Sequence, residues 1–241
     1  MRREFAERGF VVIPQVIPHD LLVKATQTID VMIERRPPAP EVRGNHFYFP
    51  STTKVPRLLA LLTDSRALTV AESLTGVGTL EVPSQVQVAL NIPPFPHRPG
   101  APHLDGATPP EPDGRPGTFT MLAGVLMSDQ SRQDAGNLWV WPGTHLIHAE
   151  YFRTHGPDSF MEAAGYPPIT LPEPEQVCGR AGDLLLAHFL LGHNIGGNTS
   201  ETVRRAVYFR LKRSGHDQRQ SEFLRDPWLD YEPIRDEAAR R

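Results

Sequence analysis

The sequence predicts a mainly β domain with helices along its flanks, and three observations carry that expectation. In the first third of the chain, apolar residues recur at helical spacing. From Leu80 the period changes to alternation, the signature of a strand with two different faces. Beyond it, short apolar segments rich in Leu, Val and Ile are separated by Gly- and Pro-rich turns. Proline, 25 of 241 residues, falls in bunches at 37–40, 93–102, 109–116 and 167–174, so the chain is divided into short elements joined by stiff loops. A chain of 241 residues suits one domain with a sizeable core. The expected organisation is a single unit, 1–241, with a mostly helical flank at 1–78, a β core at 79–213 and a C-terminal extension at 214–241.

Composition excludes some roles. A formal net charge of −3 gives no general attraction to nucleic acid or to an anionic membrane. The one cysteine, Cys178, excludes an internal disulfide, suits a reducing compartment and is expected only to fill space. No long apolar run follows Met1-Arg2-Arg3-Glu4-Phe5, so neither a signal peptide nor a membrane span is readable. The expectation is a cytoplasmic enzyme or binding protein, monomeric or homodimeric, with a small molecule as partner.

Taken in order, Phe10-Val11-Val12-Ile13 before Pro14 reads as a short strand. Asp20 is placed to cap a helix in which Leu21, Leu22, Ala25, Ile29, Met32 and Ile33 share a face, until Pro37-Pro38 stops it. Two further helices are expected at Arg57–Leu62 and Asp64–Leu74, the second opened by Asp64 and closed by Gly76. Between them and the first helix lies Asn45-His46-Phe47-Tyr48-Phe49-Pro50, whose aromatic rings suit either core or a pocket wall. In the alternating stretch Val86, Val88, Leu90 and Ile92 face one way, and Gln85, Gln87, Ala89 and Asn91 the other. Under a cover of helices the polar face looks inward and needs a ligand, metal shell or water; on an open sheet it is simply solvated. Thr118–Met127, the region around Leu138-Trp139-Val140, Leu184–Phe189 and Val203–Lys212 follow as strands, whereas 146–175 reads as an irregular insertion, a lid or a surface excursion.

The chemistry concentrates at Pro102-His103-Leu104-Asp105-Gly106. Residues i and i+2 of extended chain share a face, so His103 and Asp105 can turn toward one ion. With ten histidines in the chain, roughly one His-x-Asp/Glu is expected by chance, and His148-Ala149-Glu150 fits the same pattern. A third ligand must come from a distance, with His188 and His193 as candidates. Two neutral imidazoles and one carboxylate leave three positions open, which is what a non-haem Fe(II) oxygenase needs for a co-substrate and O2.

The order of several segments resembles the phytanoyl-CoA dioxygenase family of Fe(II)/2-oxoglutarate oxygenases, over nearly the whole chain. Glu7-Arg8-Gly9-Phe10-Val11-Val12-Ile13-Pro14 looks like the family's opening signature, and His103-Leu104-Asp105-Gly106 like its first metal motif. Ala135-Gly136-Asn137-Leu138 with Pro142-Gly143-Thr144-His145 resembles its internal segment, and Gly182-Asp183, His193 and Arg204 its closing motif. The resemblance implies a double-stranded β-helix, a jelly-roll or cupin-like barrel, with His103, Asp105 and His193 as metal ligands and Arg204 holding the 5-carboxylate of 2-oxoglutarate. It selects His193 over His188, sets Glu150 aside, and points to Asn91 as a co-substrate contact that donates to the 1-carboxylate; Gln87, on the same strand face, is a candidate contact for either substrate or co-substrate. Arginine suits the far carboxylate because it is permanently charged and forked. Arg205, one residue on, faces the other way. Where family members often carry Ser two residues after the distal His, this chain has Ile195, which leaves Arg204 without an identified helper.

By the same resemblance the reaction decarboxylates 2-oxoglutarate to succinate and CO2 and hydroxylates an unactivated carbon of a small molecule. Asp105 disfavours halogenation, which in related enzymes requires a small residue in its place; desaturation, epoxidation and rearrangement stay open. Phe47, Phe49, Trp139, Trp141 and Phe189 are candidates for an apolar substrate pocket, with Arg98 or His46 for an acidic group, although core packing explains each aromatic as well. Two other classes use the same scaffold: a cupin-like metal isomerase or epimerase without 2-oxoglutarate, and an inactive metal-binding module.

Overall fold

The structure is a computed structural model and describes residues 1–106, 111–162 and 166–239. Pro109 and Pro110 of one proline bunch, residues 163–165 of the expected insertion and the last two residues of the C-terminal extension lie outside the described residues. In chain order the elements are α1 (Arg2–Arg8), β1 (Phe10–Ile13), α2 (His19–Arg35), β2 (Gly44–Tyr48), α3 (Pro56–Thr63), α4 (Ala67–Thr75), β3 (Gln87–Ile92), β4 (Met121–Leu126) and β5 (Leu138–Val140). There follow α5 (Thr144–His155), α6 (Ser159–Glu162), β6 (Glu175–Gln176), β7 (Leu184–His188), β8 (His193–Ile195), β9 (Arg204–Leu211), α7 (Gln220–Arg225) and α8 (Glu232–Ala239). No described helix is long and apolar enough to cross a membrane.

The strands form two antiparallel sheets, a larger one in the order β1-β7-β4-β9-β3-β2 and a smaller one in the order β6-β5-β8. The central strands are near-continuous apolar runs because both of their faces are covered. Leu184, Leu185 and Leu186 of β7 and Met121, Ala123 and Val125 of β4 are all fully buried, at about 1.5–3 kcal/mol for each large side chain. Strand β9 shows how one sequence serves two environments. Arg205 points outward to Asp30 of α2, with Nη1 2.6 Å from Oδ1, whereas Arg204 is buried on the opposite face.

Several expectations are corrected. Within the mostly helical flank 1–78 the expected strand β1 is joined by an unmarked one, β2, which takes the aromatic stretch opposite β3; the two form the edges of the larger sheet. Residues 2–8 form a helix that the apolar pattern did not mark, ended by Gly9 at φ +80°. Asp20 does not cap α2: the helix starts at His19 after Pro18, and Asp20 pairs with Lys24 one turn on. Asp64 closes α3 instead of opening α4. The segment 146–175 is not wholly irregular, because Thr144–His155 is a helix whose His145, His148 and Phe152 are buried. On that helix His148 faces the core and Glu150 solvent, so the second His-x-Glu cannot share an ion. Cys178 is exposed and fills no space.

The C-terminal extension closes the core around buried imidazoles. His188 donates through Nε2 to the Pro227 carbonyl at 2.7 Å and accepts at Nδ1 from the Leu190 amide at 2.9 Å. Its ring stacks on Phe223 and Tyr231 at 5.5 and 5.1 Å. His188 is thus structural. Burial pushes it down from 6.5 to about 3, and His148 likewise to about 4. Both rings are neutral in the folded protein, while the unfolded chain protonates them near 6.5. Stability is therefore complete above that pH and falls as pH drops toward about 3, by up to about 1.4 kcal/mol per unit for each ring. His188→Gln can retain both hydrogen bonds but cannot titrate. Its urea midpoint is expected to be lower at pH 7 and to fall less steeply than the wild type's from pH 6.5 to 4; parallel curves would remove His188 from this account.

Candidate metal centre

The site begins with a backbone pair. The His103 amide donates to the His193 carbonyl at 2.9 Å and the His193 amide to the His103 carbonyl at 3.2 Å. This reciprocal bridge makes residues 90 positions apart cross-chain neighbours, and their rings lie 4.4 Å apart, centroid to centroid. After His103 the chain turns at once, with Leu104 buried and Gly106 at φ +94°. His103 and Asp105 therefore share a side without belonging to a regular strand. Asp105 Oδ1 stands 3.6 Å from His103 Nε2 and 4.0 Å from His193 Nε2, and one ligand atom from each residue falls within 4.8 Å of the others. Ligand atoms bound to one ion at about 2.1 Å stand about 3 Å apart at adjacent octahedral corners, so closing the set takes small side-chain shifts at Asp105 as well as at the half-exposed His103.

The protonation states suit a metal. His193 donates Nδ1–H to the Leu191 carbonyl at 3.0 Å, which leaves the Nε2 lone pair facing Asp105. Burial, reinforced by the neighbouring His103, pushes His193 down to about 4, so the ring is neutral at physiological pH. Burial opposes ionisation of Asp105, but His103, His193 and Arg210 outweigh it and hold the carboxyl well below the usual range. Two imidazole nitrogens and a carboxylate oxygen, with a solvent-reachable cavity beside them, fit an octahedral Fe(II) that keeps open positions.

That cavity has a volume of about 420 Å³ and is lined by all three residues together with Arg204, Gln87, Phe47 and Phe49. Arg204 is 6% exposed. Its Nε donates to Gln130 Oε1 at 2.9 Å and its Nη2 to Tyr208 Oη at 2.6 Å. Both partners are neutral, and among the described residues no carboxylate pairs with it. Gly136, at φ +81°, lies against this arginine: a Cβ there would stand 2.7 Å from Arg204 Cβ and 3.1 Å from Asn91 Cβ. The glycine of the Ala135-Gly136-Asn137-Leu138 turn is thus required by close approach.

Other expected residues sit differently. Asn91 is buried beside Arg204 in the β3–β9 register and does not line the cavity; one N–H of its Nδ2 donates to the Gly196 carbonyl at 2.8 Å. Arg98 and Trp139 do not line the metal cavity. They line a separate concavity of about 630 Å³, where the guanidinium lies 5.4 Å from the indole ring. Alternation along β5 is the reason, since Leu138 takes the metal side. Trp141 and Phe189 are buried core residues, and His46 packs edge-on to Tyr48 at 4.9 Å. Tyr208, Arg210, Asn45 and Gln130 were not anticipated. Tyr208 and Arg210 lie four and six residues beyond Arg204 on β9, so strand periodicity alone places all three on one face. Gln130, in the loop after β4, carries no such signal.

The Phytanoyl-CoA dioxygenase (PhyH) family profile matches residues 5–206. No curated protein matches the sequence significantly. Among solved structures, HygX from Streptomyces hygroscopicus, with nickel and 2-oxoglutarate bound, is similar at 18% identity and TM-score 0.60, over 89% of this chain and 88% of that one. The non-heme alpha ketoglutarate dependent epimerase SnoN from nogalamycin biosynthesis is similar at 23% identity and TM-score 0.61, over 89% and 85%. The carbocyclase SnoK from the same biosynthesis, also alpha ketoglutarate dependent, is similar at 20% identity and TM-score 0.62, over 90% and 89%. These likenesses show the shared jelly-roll fold. With its family profile matched from the first helix into the last strand, the chain belongs to the phytanoyl-CoA dioxygenase family.

Proposed function

We propose that this protein is an Fe(II)- and 2-oxoglutarate-dependent oxygenase that hydroxylates an unactivated C–H bond of a small molecule. The observation that carries the reading is one cavity holding both a His-Asp-His ligand set and a buried arginine whose described partners are neutral. A buried cation without an anion is costly, and a dicarboxylate co-substrate supplies the anion. Family membership and the 2-oxoglutarate in HygX support the same choice.

In this reading His103 Nε2, Asp105 Oδ1 and His193 Nε2 hold the metal. Bound Fe(II) supplies activation of O2, coupled to decarboxylation of 2-oxoglutarate to succinate and CO2, with one oxygen atom delivered to the substrate. The chain's own contribution is positioning. Arg204 grips the far carboxylate, and the Tyr208 hydroxyl, which accepts from Arg204, has its own proton to donate to the same carboxylate. Tyr208 thus takes the helper's role that Ile195 cannot fill. Phe47, Phe49, Leu122 and Ile195 form an apolar wall that holds the substrate's hydrocarbon part and keeps water from the reacting centre. A neighbouring cleft of about 470 Å³ shares Phe49, Gln87, Tyr208 and Arg210 with this cavity, so a substrate too long for the inner chamber has room to extend. An isomerase without 2-oxoglutarate would leave Arg204 unneutralised, and an inactive module would have no need of the complete ligand set. SnoN and SnoK show epimerase and carbocyclase names on similar folds, so product analysis decides hydroxylation.

Anaerobic Fe(II) with 2-oxoglutarate is expected to give a visible metal-to-ligand absorption band. Arg204→Ala should raise the 2-oxoglutarate concentration at half-saturation by roughly 10- to 100-fold, as loss of hydrogen bonds to a charged group implies; Tyr208→Phe should shift it in the same direction by less. Absence of the band in the wild type would falsify the reading. In air, substrate-free protein should release succinate slowly. His193→Ala should abolish that release together with the thermal stabilisation by added divalent metal; a variant that keeps both would exclude His193 from the centre.

A further inference from the structure

Arg210 has a contact that the proposed reaction does not require of it. It follows Arg204 and Tyr208 on the same face of β9, lies over the Phe119 ring at 5.7 Å, and lines both the metal cavity and the cleft outside it. Its Nε and Nη2 both donate to Asp105 Oδ2, at 3.3 and 3.1 Å. The two oxygens of Asp105 are therefore divided: Oδ1 faces the two imidazoles and Oδ2 faces the guanidinium. The Asp105 side chain is only 16% exposed, so water does little to compete for Oδ2.

We propose that Arg210 is a positioning residue that restricts Asp105 to a one-oxygen ligand, and so keeps open the pair of adjacent coordination positions that a 2-oxo acid needs. The inference rests on the oxygenase reading above. A carboxylate beside a divalent cation can bind through one oxygen or chelate through both. An Oδ2 that accepts two charge-assisted N–H bonds is held away from the second mode. Without the guanidinium, Oδ2 is free to swing onto the ion and occupy a position the co-substrate requires. The same loss removes a positive charge from beside the metal. The two effects therefore push the two affinities apart: metal binding holds or tightens, and 2-oxo acid binding weakens. A side chain that only supported the fold would weaken both. Partners of ligating residues commonly change site properties by about 10- to 100-fold.

The test uses the full-length protein loaded with Co(II), with titrations of Co(II) alone and then of 2-oxoglutarate followed by the cobalt absorption spectrum. Arg210→Met, which keeps length and stem packing, is expected to bind Co(II) at least as tightly as wild type, to bind 2-oxoglutarate about tenfold or more weakly, and to show an altered cobalt spectrum before 2-oxoglutarate is added. Arg210→Lys, which can still donate to Oδ2, should recover most of the 2-oxoglutarate affinity. Equal 2-oxoglutarate affinity in wild type and Arg210→Met would overturn the inference and leave the metal centre standing. Parallel loss of Co(II) and 2-oxoglutarate would also overturn it, in favour of a role in folding. Failure of wild-type Co(II) protein to bind 2-oxoglutarate would remove the oxygenase reading, and this inference with it.

Discussion

The reciprocal hydrogen-bonded pair between His103 and His193 is the constraint on which the site depends. His103 follows a proline-rich stretch that forms no strand, and Asp105 lies in a turn. Nothing local would hold them in register with a histidine ninety residues on. Two backbone bonds do so, assisted by burial of Leu104 on the side away from the metal face. The bridge brings the rings to 4.4 Å and sets Asp105 Oδ1 within 4.0 Å of both Nε2 atoms. Three ligands from remote or irregular segments thereby become one rigid set, as preorganised binding of a small ion demands.

Strand β9 is the second organising element. Period-2 alternation separates its residues into an outer face, where Arg205 reaches Asp30 of α2, and an inner face carrying Arg204, Tyr208 and Arg210. The inner side chains pass from the buried Arg204 to the half-exposed Arg210, into more solvated surroundings. One strand thus presents a buried cation, a phenol against it, and a second cation at the mouth. Small residues make this possible. Gly136 admits Arg204, and Gly124 on the paired strand admits the Tyr208 ring, whose Cε1 would lie 2.6 Å from a Cβ there.

Charge organises the cavity as much as shape does. A neutral His193 imidazole and an ionised Asp105 carboxylate stand in the ligand set, and two guanidiniums flank it from β9. Of these, Arg210 finds an anion within the chain and Arg204 finds only neutral partners among the described residues. That asymmetry separates a residue that completes the protein's own site from one that awaits a ligand.

Much of this was legible in the chain itself. The helical and alternating periods, the order of the motifs and the pairing of His103 with Asp105 are properties of neighbouring residues, and period and turn chemistry act over a few positions. The inward turn of Arg204 and the outward turn of Arg205 follow from alternation alone. The same rule, carried further along β9, reaches Tyr208 and Arg210. Local signals could not place Trp139 and Arg98 in a cavity apart from the metal, commit the Asn91 amide to Gly196, or set Gln130 against Arg204. They also could not show that the aromatic stretch at 45–48 pairs as an edge strand, or that residues 144–155 coil into a helix with one buried face. Those outcomes depend on which backbone groups meet across the two sheets, and a hydrogen bond between residues a hundred positions apart leaves no trace in either neighbourhood until the chain has folded.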